Sequence, residues 1–193
     1  MRVRNNETYN ERKQQIMQAC FDCFAENGLH GTGIATVAKY AKVSKSTLYV
    51  YFDDLDQLIT QSVAYCMARV EDEFMAKAPK SIDEVEKYID EIPYWTAKNH
   101  GKKYRLMYQV YTHPKYIEYG KEFFSGVDDR YYKYAKALEP RLNISSEIIT
   151  PLIFFFVRAC VHYALFEDEF YLKSQMQLLK KSITYFVGKG MIR

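Results

Sequence analysis

The first apolar pattern along the chain has the three-and-four spacing that defines one face of an α-helix. Between residues 8 and 27 this face carries Ile16, Ala19, Cys20, Cys23 and Phe24. Gly28 comes next, and glycine ends helices readily because it adopts the left-handed conformation without steric cost. The pattern predicts a first helix over about 8–27.

Three more helices are predicted in the N-terminal third. Thr32 can cap a short helix over about 34–40, and Ser44 can cap a second over about 45–51. A three-residue turn, Ala41-Lys42-Val43, joins the two. A longer amphipathic helix is expected over about 55–77, and its apolar stripe consists of Ile59, Val63, Cys66, Met67, Val70 and Phe74.

The middle of the chain is aromatic and less regular. Ser81 can cap a helix that runs to about His100, is kinked at Pro93 and is broken by Gly101. Another helix is expected over about 103–112. A long helix is expected over about 115–139, between Pro114 and Pro140. Irregularities are expected near Gly120 and Gly126.

The last two predicted helices, about 145–167 and 169–187, differ from the rest. The eighth is apolar almost all round, so it must be covered on more than one side. The ninth has apolar residues at alternating spacings of four and three, the seam of a helix that packs along another helix. We expect the pair to form a hairpin that joins a second copy in a four-helix bundle. The expected dimer-interface residues are Phe155, Arg158, His162, Leu172, Met176, Leu179 and Ile183.

These patterns predict an all-α protein of nine helices in two domains. Residues 1–54 form a three-helix head that contains a helix-turn-helix, and residues 55–193 form a larger helical domain. The composition agrees, because 48% apolar and 26% charged residues are ordinary for a globular chain. Only 8 Gly and 5 Pro are present, too few for a fold made of many tight turns.

The positive charge of the chain is concentrated at its N-terminal end. Residues 1–52 carry seven basic and four acidic side chains, whereas the remainder is neutral. An anionic partner is therefore steered to the head. The one membrane-like run, about 148–166, contains Pro151, Arg158 and His162, so we expect a buried helix of a cytoplasmic protein without a leader peptide or membrane partner.

Cysteine and histidine give no sign of a metal site. Cys20 and Cys23 form a C-x-x-C pair, which can indicate redox chemistry or half of a zinc site. No second such pair occurs, and both residues lie on the apolar face of the first helix, so buried small hydrophobes are the favoured interpretation. His100, His113 and His162 are not at ligand spacing. We expect neither a metal nor another cofactor.

The second short helix has the chemistry needed to read DNA. A helix-turn-helix lays its second helix in the major groove, where small hydroxyls and amines reach base edges and phosphates. Free backbone N–H groups at the start of the preceding helix can face a phosphate. The predicted DNA-binding residues are Thr32, Gly33, Lys42, Ser44, Lys45, Ser46, Thr47, Tyr49 and Tyr51.

Residues 12–58 resemble the N-terminal domain of the TetR family of bacterial transcriptional regulators. The matching pieces include Phe24-Ala25-Glu26-Asn27-Gly28, Val37-Ala38 and Val43-Ser44-Lys45-Ser46-Thr47-Leu48-Tyr49. The resemblance implies a homodimer whose reading helices enter successive major grooves of a near-palindromic operator. It also implies that a small effector bound in the core releases the DNA. Three residues depart from the family pattern: Leu55 replaces a phosphate-contacting lysine, Ser46 replaces glycine, and Gly33 replaces Ser or Thr.

Tyrosine is unusually common, with 18 residues, and many lie between positions 88 and 134. Such rings can wall a cavity for a flat, aromatic or cationic effector. The alternative is that they are ordinary core and surface aromatics at helical spacing. The predicted ligand-binding residues are Tyr94, Trp95, Tyr104, Tyr108, Tyr111, Phe123, Phe124 and Tyr131.

We therefore expect a ligand-responsive DNA-binding transcriptional regulator, a repressor released by a small molecule, rather than an enzyme. No nucleophile elbow, phosphate-binding loop or carboxylate pair supports catalysis. The alternative is a small-molecule-binding or interaction protein that keeps the fold but binds DNA weakly, which Leu55 motivates.

Overall fold

The computed structural model of the protein describes the backbone of residues 2–188 and the side chains of residues 7–186. Nine α-helices and one 3₁₀ turn make up the secondary structure of this part of the chain. The helices are α1 Arg2–Asn27, α2 Ile34–Tyr40, α3 Lys45–Tyr51, α4 Leu55–Ala76, α5 Val85–Tyr111, α6 Ile117–Ser125, α7 Val127–Leu142, α8 Ser146–Phe166 and α9 Glu169–Gly188. The 3₁₀ turn Ile82–Glu84 precedes α5. The all-α prediction is confirmed.

Helices α2 and α3 have the bounds that the sequence predicts, and α8 and α9 differ by a residue at some ends. Helix α1 begins six residues earlier than predicted. The predicted break at Gly101 is wrong, because α5 runs without interruption through both Pro93 and Gly101. A Cβ atom at Gly101 would lie 3.2 Å from the carbonyl oxygen of Ala164, so this glycine permits close packing of α5 on α8.

The predicted long helix over 115–139 is two helices. Helix α6 ends at Ser125, Gly126 takes the N-cap position of α7, and the irregularity expected at Gly126 is therefore a true break. Pro140 does not end α7, which continues to Leu142 before Asn143 adopts a left-handed conformation at φ 55°. Proline removes one bond to the carbonyl four residues earlier, and here that loss falls in the last turn of the helix, two residues before its end.

The chain folds as two compact units that do not follow the sequence order. Unit 1 comprises the described residues up to Asp72 together with Arg105–Glu122. Unit 2 comprises Glu73–Tyr104 together with the described residues from Phe123 onward. Helices α4 and α5 each contribute residues to both units. The predicted boundary at residue 54 followed the helix-turn-helix alone, whereas unit 1 also includes most of α4, the end of α5 and most of α6.

The core of unit 1 forms where the apolar faces of its helices meet. Helix α2 packs against α1 and α3. The largest fully buried side chains of this core are Ile16, Phe21, Phe24, Val37, Leu48, Leu58, Val63, Met67, Val70 and Val110. Phe21 and Leu58 are buried as well, although they lie outside the predicted apolar faces of α1 and α4. Burying this apolar surface, at about 25 cal/mol per Å², stabilises unit 1.

Unit 2 is built around the hairpin of α8 and α9, with α7 packed on α8. Helix α8 is long and apolar enough to cross a membrane by length and composition, with a mean hydropathy of 1.8. Seven of its side chains are nevertheless buried in the protein: Ser146, Ile149, Phe156, Ala159, Cys160, Val161 and Ala164. Packing on more than one side accounts for its apolar character.

All four cysteines lie in the described part of the chain as free, buried thiols. Cys20 and Cys23 are completely buried in α1, as the apolar-face interpretation predicts. Burial raises the pKa of the Cys20 thiol to about 12. Since the thiolate is the reactive form, this residue is a structural hydrophobe rather than a nucleophile.

Candidate nucleic-acid interface

A tight backbone turn sets the angle between α2 and α3. The N–H of Val43 donates to the carbonyl of Ala38 at 3.0 Å, and the N–H of Lys42 donates to that of Lys39 at 3.2 Å. These two bonds form a Schellman motif, which requires a left-handed residue between them. Lys42 occupies that position with φ 55°. The turn therefore projects an exposed lysine between the two helices of the motif.

Ser44 begins α3 as its N-cap. Its Oγ accepts the backbone N–H of Thr47 at 3.0 Å, which satisfies one of the free donors at the helix start. The same oxygen lies 2.7 Å from Ser46 Oγ and 2.7 Å from Thr47 Oγ1. Three hydroxyls are thus gathered in the first turn of α3, where they can turn outward to phosphate oxygens or base edges.

The exposed face of α3 is the face that the sequence predicts to meet DNA. Leu48 points inward and is completely buried, whereas Tyr49 is 55% exposed and Lys45 and Ser46 are also exposed. Val50 is 65% exposed beside them. An exposed valine on this face is suited to the methyl group of thymine, and the sequence analysis did not include it.

Helix α1 supports the C-terminal end of α3. The ring of Tyr9 lies 4.6 Å from the ring of Tyr51, and the Tyr9 hydroxyl donates to the carbonyl of Val50 at 3.4 Å. One turn later, the Lys13 ammonium lies 5.2 Å from the centre of the Phe52 ring. Neither Tyr9 nor Lys13 was predicted as a site residue. Their four-residue spacing on α1 was the signal that could have found them.

The start of α2 differs from the expectation for Thr32. The Thr32 side chain is buried, and its hydroxyl donates to the carbonyl of Gly28 at 2.8 Å. The backbone N–H of Thr32 donates to the carbonyl of Leu29 at 3.4 Å. Thr32 therefore stabilises the loop before α2 and offers neither group to a phosphate. Gly33 is exposed and is the N-cap of α2, a position for which the sequence analysis chose Thr32.

The predicted ligand-binding residues are divided between the two units. Tyr108 and Tyr111 belong to unit 1, and the other six belong to unit 2. The Tyr94 hydroxyl donates to Glu169 at 3.2 Å, and Trp95 lies under the Lys77 ammonium at 4.6 Å. The other four in unit 2 are buried or half-buried: Tyr104, Phe123, Phe124 and Tyr131.

A cavity of about 80 Å³ within unit 2 is lined by a different set of residues. Its walls are entirely apolar apart from the Tyr88 ring, and they come from the 3₁₀ turn region, α5, α7, α8 and α9. The lining includes Val85, Tyr88, Leu138, Ile149, Phe156 and Leu179. The cavity is small, about half the roughly 150 Å³ of an engineered cavity that binds benzene.

The predicted dimer-interface residues also separate into two groups. Leu172, Met176 and Leu179 are buried in the core of unit 2, so the regular seam of α9 packs within the chain. Phe155 and Ile183 lie at the edge of that core, while Arg158 is exposed and His162 is about one-third exposed. The exposed face of the hairpin instead carries Phe166, Phe170, Leu178 and Tyr185.

Comparison with known proteins places the helix-turn-helix in a family. Residues 16–61 match the family described as "Bacterial regulatory proteins, tetR family". The biofilm operon icaADBC HTH-type negative transcriptional regulator IcaR of Staphylococcus aureus is 23% identical over 166 residues, which cover 82% of this chain and 87% of IcaR. The HTH-type transcriptional regulator HbdR of Aromatoleum sp. is 33% identical over 73 residues, 38% of this chain and 30% of HbdR.

Solved structures agree over nearly the whole chain. A TetR transcription regulator from Haloarcula marismortui has a TM-score of 0.66 at 18% identity, covering 89% of this chain and 96% of that one. The fatty acid degradation regulator FadR from Bacillus halodurans has a TM-score of 0.56 at 17% identity, covering 87% and 94%. At such identities these likenesses establish the fold. Together with the match over residues 16–61, they show a TetR-family DNA-binding region within a chain that has the fold of TetR-family regulators.

Proposed function

We propose that the protein is a cytoplasmic, ligand-responsive transcriptional repressor. In this proposal it binds a near-palindromic operator as a homodimer, and a small effector releases it from the DNA. The proposal depends above all on one observation: α3 is capped by Ser44 and anchored by buried Leu48, and it presents Lys45 and Tyr49 outward. An accessible short helix of this kind fits the major groove, which is about 12 Å wide.

Repression is supported by the similarity to IcaR, which is a negative transcriptional regulator. A bound repressor needs no contact with polymerase, since occupancy of the operator is sufficient. The eight predicted DNA-binding residues other than Thr32 remain our proposed set. Val50, Tyr9 and Lys13 join them because they lie on or against the exposed face of α3.

Dimerisation is supported by the exposed apolar face of the α8–α9 hairpin. Phe166 is 68% exposed, Phe170 84%, Leu178 54% and Tyr185 59%. Exposed large apolar side chains that share one face of a hairpin are a feature of interaction surfaces. A two-fold partner would cover the face with the same face of its own hairpin. The reading helices of such a pair would meet half-sites about 34 Å apart.

The effector is proposed to bind in unit 2. We retain the six aromatic residues of unit 2 as the proposed wall for a flat or cationic ligand, and the apolar cavity beside Tyr88 is a second position. The two positions are distinguished by measuring the unfolding temperature of the wild type and of two variants with each candidate compound present. Substituting Trp95 with Ala would abolish stabilisation by a ligand of the aromatic wall, whereas substituting Leu138 with Phe would block the cavity.

The experiment that tests the function is selection of bound duplexes from sheared genomic DNA or a random pool. We expect enrichment of a sequence with two-fold symmetry that one dimer protects. The affinity of the protein for this duplex should fall steeply as the salt concentration rises. Failure to enrich any sequence would instead favour the alternative, a ligand-binding or interaction protein with weak DNA binding. Under that alternative, substituting Leu55 with Lys would create measurable DNA affinity where the wild type has almost none.

A further inference from the structure

The C-terminal end of α3 carries no basic residue of its own, and the cation already described beside it is Lys13 of α1, 5.2 Å from the centre of the Phe52 ring. Seven residues rise about 10 Å along a helix axis, close to the width of the major groove, so each end of α3 lies near a phosphate strand. Lys42 and Lys45 serve the N-terminal end. Beyond the other end, only Phe52–Asp54 separate α3 from α4, and the first residue of α4 is the uncharged Leu55.

The carboxylates at this junction are engaged in local structure. Asp54 accepts the backbone N–H of Gln57 at 2.7 Å and caps α4, and Asp53 accepts from the Gln57 side chain at 2.8 Å. Asp56 faces a different part of unit 1. Its two oxygens contact the turn between α5 and α6, where they accept from Tyr116 and Lys115.

Lys115 is held in place by these contacts. Its ammonium lies 2.6 Å from Asp56 Oδ2, while the buried Tyr116 hydroxyl donates to Asp56 Oδ1 at 2.5 Å. The backbone N–H of Lys115 donates to His113 Nδ1 at 3.1 Å, and its ammonium lies 5.6 Å from the centre of the Tyr116 ring. The side chain is nevertheless 57% exposed.

An ammonium group carries three N–H donors, and the bond to Asp56 uses one of them. Because the side chain is 57% exposed, the ammonium can also bond to a group outside the protein. Lys115 is therefore a positioned cation beside the start of α4, next to the residue where the sequence lacks a lysine. It comes from a segment more than fifty residues downstream of the helix-turn-helix, which is why the local motif does not reveal it.

We propose that Lys115 contacts a DNA phosphate at the C-terminal end of α3, replacing in space the cation that is missing at Leu55. This inference rests on the proposed DNA-binding function and adds one contact to it. Asp56 and Tyr116 are positioning residues: they orient the ammonium and do not touch the DNA. The segment joining α5 and α6 thereby becomes part of the DNA interface.

The test is the salt dependence of binding to a duplex that the wild-type protein selects from a random pool. Substituting Lys115 with Gln should make the slope of log K against log salt shallower by about 0.9 for each lost contact, or about two units per dimer. Lys121 is the matched control, since it is 66% exposed on α6 and pairs with Glu118 at 2.6 Å. K121Q should keep the wild-type slope, and K115R should keep it as well.

The double variant L55K/K115Q returns a lysine to the first residue of α4 and should recover the wild-type slope. An unchanged slope in K115Q overturns the inference while leaving the proposed function intact. An equal loss in K121Q also overturns it, because the effect would then be one of net charge. A wild-type protein that binds no duplex contradicts the proposed function, and the inference with it. Unfolding temperatures confirm that each variant is folded before titration.

Discussion

The N–H of Val43 donates to the carbonyl of Ala38 at 3.0 Å, and this bond closes the turn that orients α3 against α2. The closure forces the intervening residue, Lys42, into the left-handed region at φ 55°. A residue with a Cβ atom pays about 1–2 kcal/mol in that conformation. A strained lysine at the tip of the motif is consistent with a functional need for its charge.

Replacing Lys42 with Gly should therefore separate stability from DNA binding. We expect unfolding free energy to rise by about 0.5–1 kcal/mol, because relief of the left-handed strain exceeds the added chain entropy of glycine. Operator affinity should fall, since one cation is lost from each protomer. Chemical denaturation and a fluorescence anisotropy titration measure the two quantities. Asn143 provides the control, because N143G relaxes a left-handed residue at φ 55° in unit 2 and should leave affinity unchanged.

The position of Gly120 in unit 1 leaves no room for a side chain. A Cβ atom there would lie 2.6 Å from the carbonyl oxygen of Tyr111 and 2.9 Å from its Cβ, and neither atom can move without shifting backbone. G120A should lower the unfolding free energy by about 1–3 kcal/mol, the usual cost of overpacking. Gly33 is the comparison, since no atom lies within 4 Å of a Cβ built there. Equal stability of G120A and wild type in denaturant would contradict this packing.

The ion pair of Asp56 should make the stability of the fold depend on pH in the acid range. The Lys115 ammonium, followed by the Tyr116 hydroxyl, holds the pKa of Asp56 below its ordinary value. A lowered folded-state pKa stabilises the protein at pH above the ordinary aspartate pKa of about 3.9, and this contribution is lost as pH falls through the lowered value. D56N should be less stable than wild type at neutral pH and should lose part of the acid dependence. Unfolding titrations across pH 2–7 measure both, and parallel curves would argue against the ion pair.

The exposed apolar face of the α8–α9 hairpin indicates that the protein forms a dimer through this face. Leu178 is 54% exposed, so L178D should leave the protomer folded but place a charge inside the proposed two-fold interface. We expect sedimentation of wild type as a dimer at micromolar concentration and a dissociation constant at least tenfold higher for L178D. Ile117 is 37% exposed in unit 1, and I117D should remain dimeric. A monomeric wild type, or an L178D variant that dimerises like wild type, contradicts the proposed interface.

Local rules were sufficient for the DNA-binding motif. The Ser44 cap, the inward Leu48 and the bounds of α2 and α3 follow from capping and from helical spacing, which act within a few residues. Contacts with distant segments were not predictable in this way. Tyr9 reaches α3 from α1, and Lys115 reaches the start of α4 from the turn before α6, and only the fold brings them there.

Tertiary packing also explains the wrong helix break at Gly101 and the position of the α9 seam. Gly101 looked like a helix end, yet it lies where α5 approaches the backbone of α8, and a small residue is favoured there. The regular seam of α9 looked like an intermolecular contact, but Leu172 and Met176 lie in the core of unit 2. Periodicity identifies an apolar face without identifying what covers it.

The central claim is that α3 reads duplex DNA through its exposed face, and titration of K45A and Y49A against a selected duplex tests it most directly. The matched controls are K98A, at an exposed lysine of α5, and Y119A, since Tyr119 is 52% exposed on α6. We predict at least tenfold weaker binding for both site variants with unchanged helicity and dimerisation, because a lost base contact costs about 1–3 kcal/mol. Wild-type affinity in both K45A and Y49A would contradict the account.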